Sequence, residues 1–445
     1  MKWNKVFLIG LISFFLIGCQ SEQQDEEHSE SSVSSIISSE EDTIVLEGEV
    51  LSIDTGAITI QIDGQTYEFP EESMSIEEGD VLRLVLSGEP VTGTVNHDIE
   101  IVEVTVLTNI IEDKISSLID EMSMEEKVGQ MFLARLPEVD ADLLAEQYFL
   151  GGYIWFARDF SEKTPAIIQA EIAELHAAVP TNLFMAVDEE GGDVVRVSSF
   201  DAFRFEPFPS PQEAFSMGGW EEVHAVEREK AALLKGLGLN LNLAPVADVP
   251  INEDDFIYSR SFSTDAAEVA DFVEQVVTIY AEEELGSVLK HFPGYGGNVD
   301  THVGIAYDER EYQTFLDWDF IPFEAGIAAG ANGILVSHNV ITAIDDSMPA
   351  TLSPEVISIL REDLGYEGMI VTDDLIMDGL RMFTDAEEAA VLAVLAGNDL
   401  LISSEFTIQV PAVIEAVKSG RITEERIEES VSRILRTKID LGIIE

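Results

Sequence analysis

The stretch Lys290-His291-Phe292-Pro293-Gly294-Tyr295-Gly296-Gly297-Asn298-Val299-Asp300-Thr301-His302 begins where a short apolar run, 286–289, ends. Pro293 and the three glycines interrupt regular structure and let the backbone take positive φ, so the loop can fold back over the strand end. Lys290 and His291 set two N–H-bearing side chains at the mouth of that strand. Asp300 and His302 are two residues apart, a spacing that puts both on one face of an extended segment. A carboxylate that holds an imidazole in one tautomer is the arrangement a proton-transferring histidine needs. Taken alone, a Gly-Pro loop carrying one Asp and one His also fits an ordinary connection, so its neighbours decide.

Working outward, the run before Lys290 is one of a series. Apolar strand candidates recur at Gly129–Ala134, Gly152–Phe156, Leu183–Val187, Leu241–Ala244, Ser287–Lys290, Gly333–Val336, Gly368–Val371 and Asp399–Ile402. Helical stretches separate them, among them Ala166–Ala178, Trp220–Leu237, Ala266–Glu284 and Ala386–Ala396. Ile115–Met122 reads as a helix, and Ser123-Met124-Glu125-Glu126 as the capping box of the next. The expected fold class is α/β, with residues 113–445 forming a (β/α)8 TIM-type barrel. An open doubly wound sheet uses the same elements, but the count of eight favours closure. A run of about 330 residues is within the size this barrel accepts.

Residues 44–110 have a different texture. Ile58 to Ile62 alternates with period two, Asp63-Gly64 is a hairpin signal, and Gln65 to Phe69 alternates back. Val50, Leu51 and Ile53, Val81 to Val85 and Ile99 to Val106 add short strands. These predict a small all-β, barrel-like domain, read as a spacer or as a glycan- or wall-polymer-binding module.

The beginning of the chain reads as an export signal, residues 1–19. Lys2 and Lys5 precede an apolar run, Val6 to Ile17, that is short for a membrane span. Leu16-Ile17-Gly18-Cys19 resembles a bacterial lipoprotein box, which implies a lipid anchor on Cys19 and a protein held on the outer side of the cytoplasmic membrane. Ordinary secretion is the alternative. Residues 20–43 are acidic, Ser-rich and poor in large apolar groups, so they are expected to be a disordered tether of roughly 25–30 Å r.m.s. span.

Composition limits the chemistry. With Lys+Arg 24 against Asp+Glu 86, the formal net charge is -62. Such a surface repels nucleic acid and anionic lipid headgroups, so no nucleic-acid partner is expected. Cys19 is the single cysteine, which excludes an internal disulfide and any multi-cysteine metal site. Of the 7 histidines, His291, His302 and His338 follow predicted strands.

Barrel enzymes carry their working residues at the C-terminal ends of the strands, and this chain places its distinctive segments there. The third strand is followed by Asp188-Glu189-Glu190-Gly191-Gly192-Asp193-Val194-Val195-Arg196. The fourth runs into Ala244-Pro245-Val246-Ala247-Asp248-Val249, and then Tyr258-Ser259-Arg260-Ser261-Phe262. The fifth gives KHFPG and Asp300-Thr301-His302, the sixth Val336-Ser337-His338, and the seventh Val371-Thr372-Asp373-Asp374-Leu375-Ile376-Met377. By pattern, either Asp373 or Asp374 could work as a nucleophile, and Asp374 could instead cap a helix. At least one of Glu189 and Glu190 is expected to be a solvated acidic turn residue. Asp248 is expected to hold a loop by hydrogen bonds. A core or rim role for His338 and a substrate contact both stay open.

Over residues 113–445 these segments resemble the glycoside hydrolase family 3 pattern, in its β-N-acetylglucosaminidase branch. The resemblance implies an exo-β-N-acetylglucosaminidase acting on cell-wall (peptidoglycan) or chitin-derived oligosaccharides with retention, through a glycosyl-enzyme. It implies Asp373 as nucleophile and His302, oriented by Asp300, as acid/base. Asp188, Arg196, Arg260, Lys290 and His291 are implied substrate contacts, the last two as donors to the sugar. No metal or organic cofactor is called for. The chain departs from the family at Glu189, Asp193, Val195 and Tyr295, and its 290–302 loop is one residue shorter. Rival readings are an exo-β-glucosidase or xylosidase of the same family, which typically uses a carboxylic acid in place of the dyad, and a non-catalytic glycan-binding lipoprotein. A metal hydrolase built on His291, His302 and Asp188 lacks a compact ligand motif.

Overall fold

The computed structural model of the protein describes residues 44–54, 57–62, 65–70, 81–86, 101–108, 110–298, 304 and 306–444. The export signal with Cys19, the 20–43 tether, the Asp63-Gly64 turn, and Asp300 and His302 lie outside the described residues. The chain divides into two compact units, Met1–Asn109 and Ile110–Glu445.

The first unit is all β. Strands β1 (Ile44–Asp54), β2 (Ala57–Ile62), β3 (Gln65–Pro70), β4 (Val81–Leu86) and β5 (Ile101–Thr108) form one antiparallel sheet in the order β3-β2-β1-β4-β5. Period-two alternation sorts its faces: Leu82, Leu84 and Leu86 are buried together with Ile58, Ile60, Val50 and Phe69. Among the described residues no ladder joins β3 to β5.

The second unit is the expected barrel. Its strands are β6 (Phe132–Arg135), β7 (Gly152–Trp155), β8 (Phe184–Val187), β9 (Leu241–Asn242) and β10 (Gly286–Phe292), then β12 (Gly333–Val336), β14 (Met369–Thr372) and β15 (Leu401–Ser403). A short parallel pair, β11 (Tyr307–Asp308) with β13 (Val340–Ile341), lies outside the ring. Neighbouring barrel strands pair in parallel, in the order β14-β12-β10-β9-β8-β7-β6-β15. The ring closes through a parallel bridge between Val371 and Leu400, where Thr372 N–H donates to the Leu400 carbonyl at 3.0 Å. Closure removes the sheet's edges, so these short apolar strands need no covering element at either end.

All eight predicted strands are present. The helices Trp220–Leu237 and Ala386–Ala396 span the expected residues. Ser123 and Glu126 form the reciprocal capping box: Ser123 N–H donates to Glu126 Oε2 at 2.7 Å, and Glu126 N–H to Ser123 Oγ at 3.3 Å. Apolar side chains make one continuous core between the strands and the outer helices.

Candidate active site

A cavity of about 680 Å³ opens at the C-terminal ends of the barrel strands. Ile154, Leu243, Leu335 and Ile402 line it with apolar groups, and Asp188, Glu190, Arg196, Arg260, Lys290, His291, Asp373 and Asp374 bring the polar chemistry. Every implied site residue within the described part of the barrel therefore reaches one cavity.

The third-strand loop turns sharply at Gly191 (φ 103°) and Gly192 (φ 61°). A Cβ on Gly191 would stand 2.2 Å from the Pro209 carbonyl oxygen, so only glycine passes there. The turn buries both glutamates, which corrects the expectation that at least one of them is a solvated turn residue. Glu189 accepts main-chain N–H groups from Arg196 and Val197, each at 2.7 Å, from Ser198 at 3.2 Å, and the Ser198 hydroxyl. It is the internal staple of its own loop. Glu190 turns the other way and is held by cations.

Arg260 donates to Glu190 in a two-point fork, at 2.9 and 2.8 Å. Lys290 Nζ sits 2.6 Å from Glu190 Oε1 and 2.6 Å from Asp188 Oδ1, and Arg196 lies 3.6 Å from Asp188. Burial opposes charge on Glu190, but Arg260 and Lys290 prevail and hold its carboxyl well below the usual range. Burial likewise works against the Arg260 cation, and Glu190, Asp248 and Asp188 more than offset it. Each buried ion would cost several kcal/mol unpaired, roughly, so the alternating array holds together only as a set.

His291 is fixed from behind by Asp248, which is completely buried. Asp248 Oδ2 takes the His291 main-chain N–H at 3.0 Å and lies 2.7 Å from ring Nδ1. Asp248 Oδ1 takes the Tyr295 N–H at 2.8 Å, so this carboxylate also shapes the start of the following loop, as expected of it. Tyr295 packs its ring edge-on to His291, centroids 5.0 Å apart. On the other side of the imidazole, Nε2 lies 3.2 Å from Arg260 Nη2. A carboxylate only accepts and a guanidinium only donates, so the two contacts match a ring proton on Nδ1 and a lone pair on Nε2. In this arrangement the sugar contact implied for His291 would have to share Nε2 with Arg260.

Asp373 and Asp374 leave β14 in different directions. Asp374 accepts from Ser404 N–H at 3.2 Å, Ser404 Oγ at 2.5 Å and Ile376 N–H at 3.1 Å. Burial pushes the Asp374 carboxyl up against these hydrogen bonds, and the neighbouring Asp373 charge adds to the rise. Asp373 has one oxygen on the Asp374 N–H at 2.8 Å, and it faces the cavity half-buried. His338 is fully buried, with Nδ1 2.7 Å from Thr351 Oγ1 and Nε2 3.1 Å from the Asp374 carbonyl. Of its two open roles this is the supporting one.

Sequence reasoning passed over Glu190, Arg135 and Phe156 as lining residues. Arg135 and Phe156 stand at the ends of the first two strands, so the strand-end rule, applied there too, would have found both. Glu190 also follows a strand end, but its burial depends on Arg260 and Lys290 arriving from distant segments. Among the described residues no group of three or more His, Cys, Asp or Glu is placed to hold a metal ion. No helix among them is long and apolar enough to cross a membrane.

The chain is similar to known proteins in sequence and fold. A β-hexosaminidase of Nitrosomonas eutropha is 30% identical over 294 residues, covering 63% of this chain and 83% of that protein. One of Methylococcus capsulatus is 30% identical over 312 residues, covering 68% of this chain and 91% of that protein. The solved structure of a glycoside hydrolase family 3 β-N-acetylglucosaminidase from Paenibacillus sp. str. FPU-7 superposes with a TM-score of 0.68 at 30% identity, over 72% of this chain and 63% of that one. Residues 123–437 match the family described as the glycosyl hydrolase family 3 N terminal domain. With that match spanning the barrel and its strand-end cavity, the chain belongs to glycosyl hydrolase family 3.

Proposed function

We propose that this glycoside hydrolase removes terminal β-linked N-acetylglucosamine from oligosaccharides derived from cell wall or chitin, with retention of configuration. The observation that carries the reading is the convergence on one cavity of Asp373 with the Asp188–Lys290–Glu190–Arg260 array. The array offers alternating acceptors and donors, the pattern that reads neighbouring sugar hydroxyls. The names of the relatives and of the Paenibacillus structure supply the N-acetyl sugar.

In this reading Asp373 attacks the anomeric carbon as the bond to the leaving oxygen breaks, and His302 gives that oxygen its proton. Water then returns a proton to His302 and its oxygen to the anomeric carbon, which frees Asp373. A histidine, with an ordinary pKa of ~6.5, can serve as donor and acceptor near neutrality where most retaining enzymes raise a carboxylic acid. Asp300 orients it.

The test is nitrophenol release from 4-nitrophenyl N-acetyl-β-glucosaminide beside the β-glucoside, for wild type, Asp373→Ala and His302→Ala. Preference for the N-acetyl sugar, lost in both variants, supports the proposal. Activity on the glucoside alone moves the protein to the glucosidase branch, and inactivity of a folded wild type on both defeats the enzyme reading. The placement on the outer face of the membrane, through a lipid on Cys19 and the 20–43 tether, is also proposed. Incorporation of labelled palmitate that disappears in Cys19→Ala supports it, and unchanged secretion without label counts against it.

A further inference from the structure

Arg260 reaches the cavity from a tight turn in the loop after β9. Within that turn the main-chain N–H groups of Arg260 and Ser261 donate to the Ile257 carbonyl at 3.0 and 3.1 Å, and the Ser261 hydroxyl donates to it at 3.0 Å. Two other carbonyls, those of Tyr258 and Ser261, flank Ser259 and Arg260. Gln212 holds both of them, with its side-chain amide nitrogen 2.8 Å from each. Both partners are acceptors, so the amide presents its NH2 group to the turn and spends one hydrogen on each carbonyl.

Gln212 stands in the first turn of the helix Pro211–Gly218, which opens on a reciprocal capping box. There Ser210 N–H donates to Glu213 Oε2 at 2.9 Å, and Glu213 N–H to Ser210 Oγ at 3.3 Å. The start of this helix is tied to the third-strand loop. Gly192 N–H donates to the Phe208 carbonyl at 2.9 Å, and a Cβ on Gly192 would stand 2.7 Å from the Ser210 Cβ. That loop carries Glu190, the carboxylate on which Arg260 forks. Gln212 is therefore a second tie between the two segments that meet in the fork. On the other side of the turn lies a separate cavity of about 410 Å³, lined by Tyr258, Phe262 and Gln212 among others. The turn has open space there in place of packed side chains, and a misplacement of about 1 Å can cost a site roughly a hundredfold.

We propose that Gln212 is a positioning residue for substrate binding: by holding the Tyr258 and Ser261 carbonyls it sets Arg260 in the cavity and keeps the fork on Glu190 in register. Gln212 acts only through Arg260, because it is not among the residues that line the strand-end cavity. The proposal rests on the glycosidase reading above, in which Arg260 contacts the sugar, and adds to it the group that places this contact.

Kinetics and a probe independent of turnover test it together. Gln212→Met keeps the length of the side chain and removes both donors. With 4-nitrophenyl N-acetyl-β-glucosaminide, KM is expected to rise about tenfold while kcat stays within about threefold of wild type, the pattern of a lost binding contact. In an Arg260→Lys background the same substitution should change kcat/KM by less than about twofold, since the two residues act through one contact. The Arg260 Nε proton, held on Glu190, should exchange with water about tenfold faster in Gln212→Met by NMR. Equal losses of kcat/KM in both backgrounds overturn the proposal and leave Gln212 a structural residue. An unchanged KM with unchanged exchange overturns it as well. If Gln212→Met does not fold, Gln212→Glu, which sets a carboxylate against the two carbonyls, takes its place in the same measurements. A wild type that cleaves neither this substrate nor the β-glucoside defeats the glycosidase reading, and the exchange rate then decides the placement of Arg260 by itself.

Discussion

Asp248 grips His291 twice, at the main-chain N–H and at ring Nδ1, 3.0 and 2.7 Å from one carboxylate oxygen. The strand-end loop and the imidazole tautomer are therefore set by one buried group. With Nδ1 committed, Nε2 turns its lone pair to Arg260, and Arg260 can keep its fork on Glu190.

Asp248→Asn removes the charge and offers an amide N–H that favours the opposite tautomer. An Nε2–H would then face the Arg260 cation. We expect kcat/KM to drop by roughly 10–100-fold, the size usual for a group that orients a site histidine. The His291 ring nitrogen shifts should exchange their protonated and unprotonated positions by 15N NMR. Unaltered shifts with unaltered kinetics would remove Asp248 from this role.

The two adjacent aspartates should separate cleanly. Asp373→Ala should lower turnover by ~10⁴-fold or more while leaving the melting temperature close to wild type. Asp374→Ala orphans the donors of Ser404 and Ile376 and should cost about 1–3 kcal/mol of stability. Thermal unfolding and nitrophenol release, measured on both variants, decide between this division and its reverse.

The Glu189 carboxylate takes four donors from within its own loop. In Glu189→Gln one oxygen becomes an NH2 group that must face N–H or O–H donors. A loss of about 1–3 kcal/mol is expected in urea unfolding. A variant as stable as wild type would show that the loop can re-form around the amide.

Asp319 supplies a pH signature. It is buried, accepts from Arg310 Nη1 at 2.8 Å, and leaves its other oxygen without a partner among the described residues. Burial pushes its carboxyl up to about 7; Arg310 pulls it down, and the charges of Asp308 and Asp248 add to the rise. The ion pair does not prevail because Arg310 also serves Asp308. With the folded pKa above the ordinary value, the contribution is full below pH ~4 and is lost as pH rises through ~7. Relative to Asp319→Asn, wild type should lose about 2–3 kcal/mol between pH 5 and pH 8. A difference that stays flat across that range would sink the assignment.

How much could be read without coordinates divides along physical lines. Local pattern carried the eight strands, because each is a short apolar run bounded by turn residues whose burial on both faces needs no knowledge of its neighbours. The capping box at Ser123 and Glu126 was legible for the same reason, since both partners lie within one helical turn. Chemistry-bearing residues at strand ends, Asp188, Lys290, His291 and Asp373, followed from the barrel's rule that every strand delivers its C-terminal end to one rim. Partnerships between distant segments were decided only by the tertiary structure. Glu190 had no visible partner until Arg260 and Lys290, 70 and 100 residues further along, were brought to it. His291 likewise gained its partners, Asp248 and Arg260, only through the fold. Residue type and spacing report what a side chain can offer, whereas its charge, protonation and partners depend on which other segments the closed barrel sets against it.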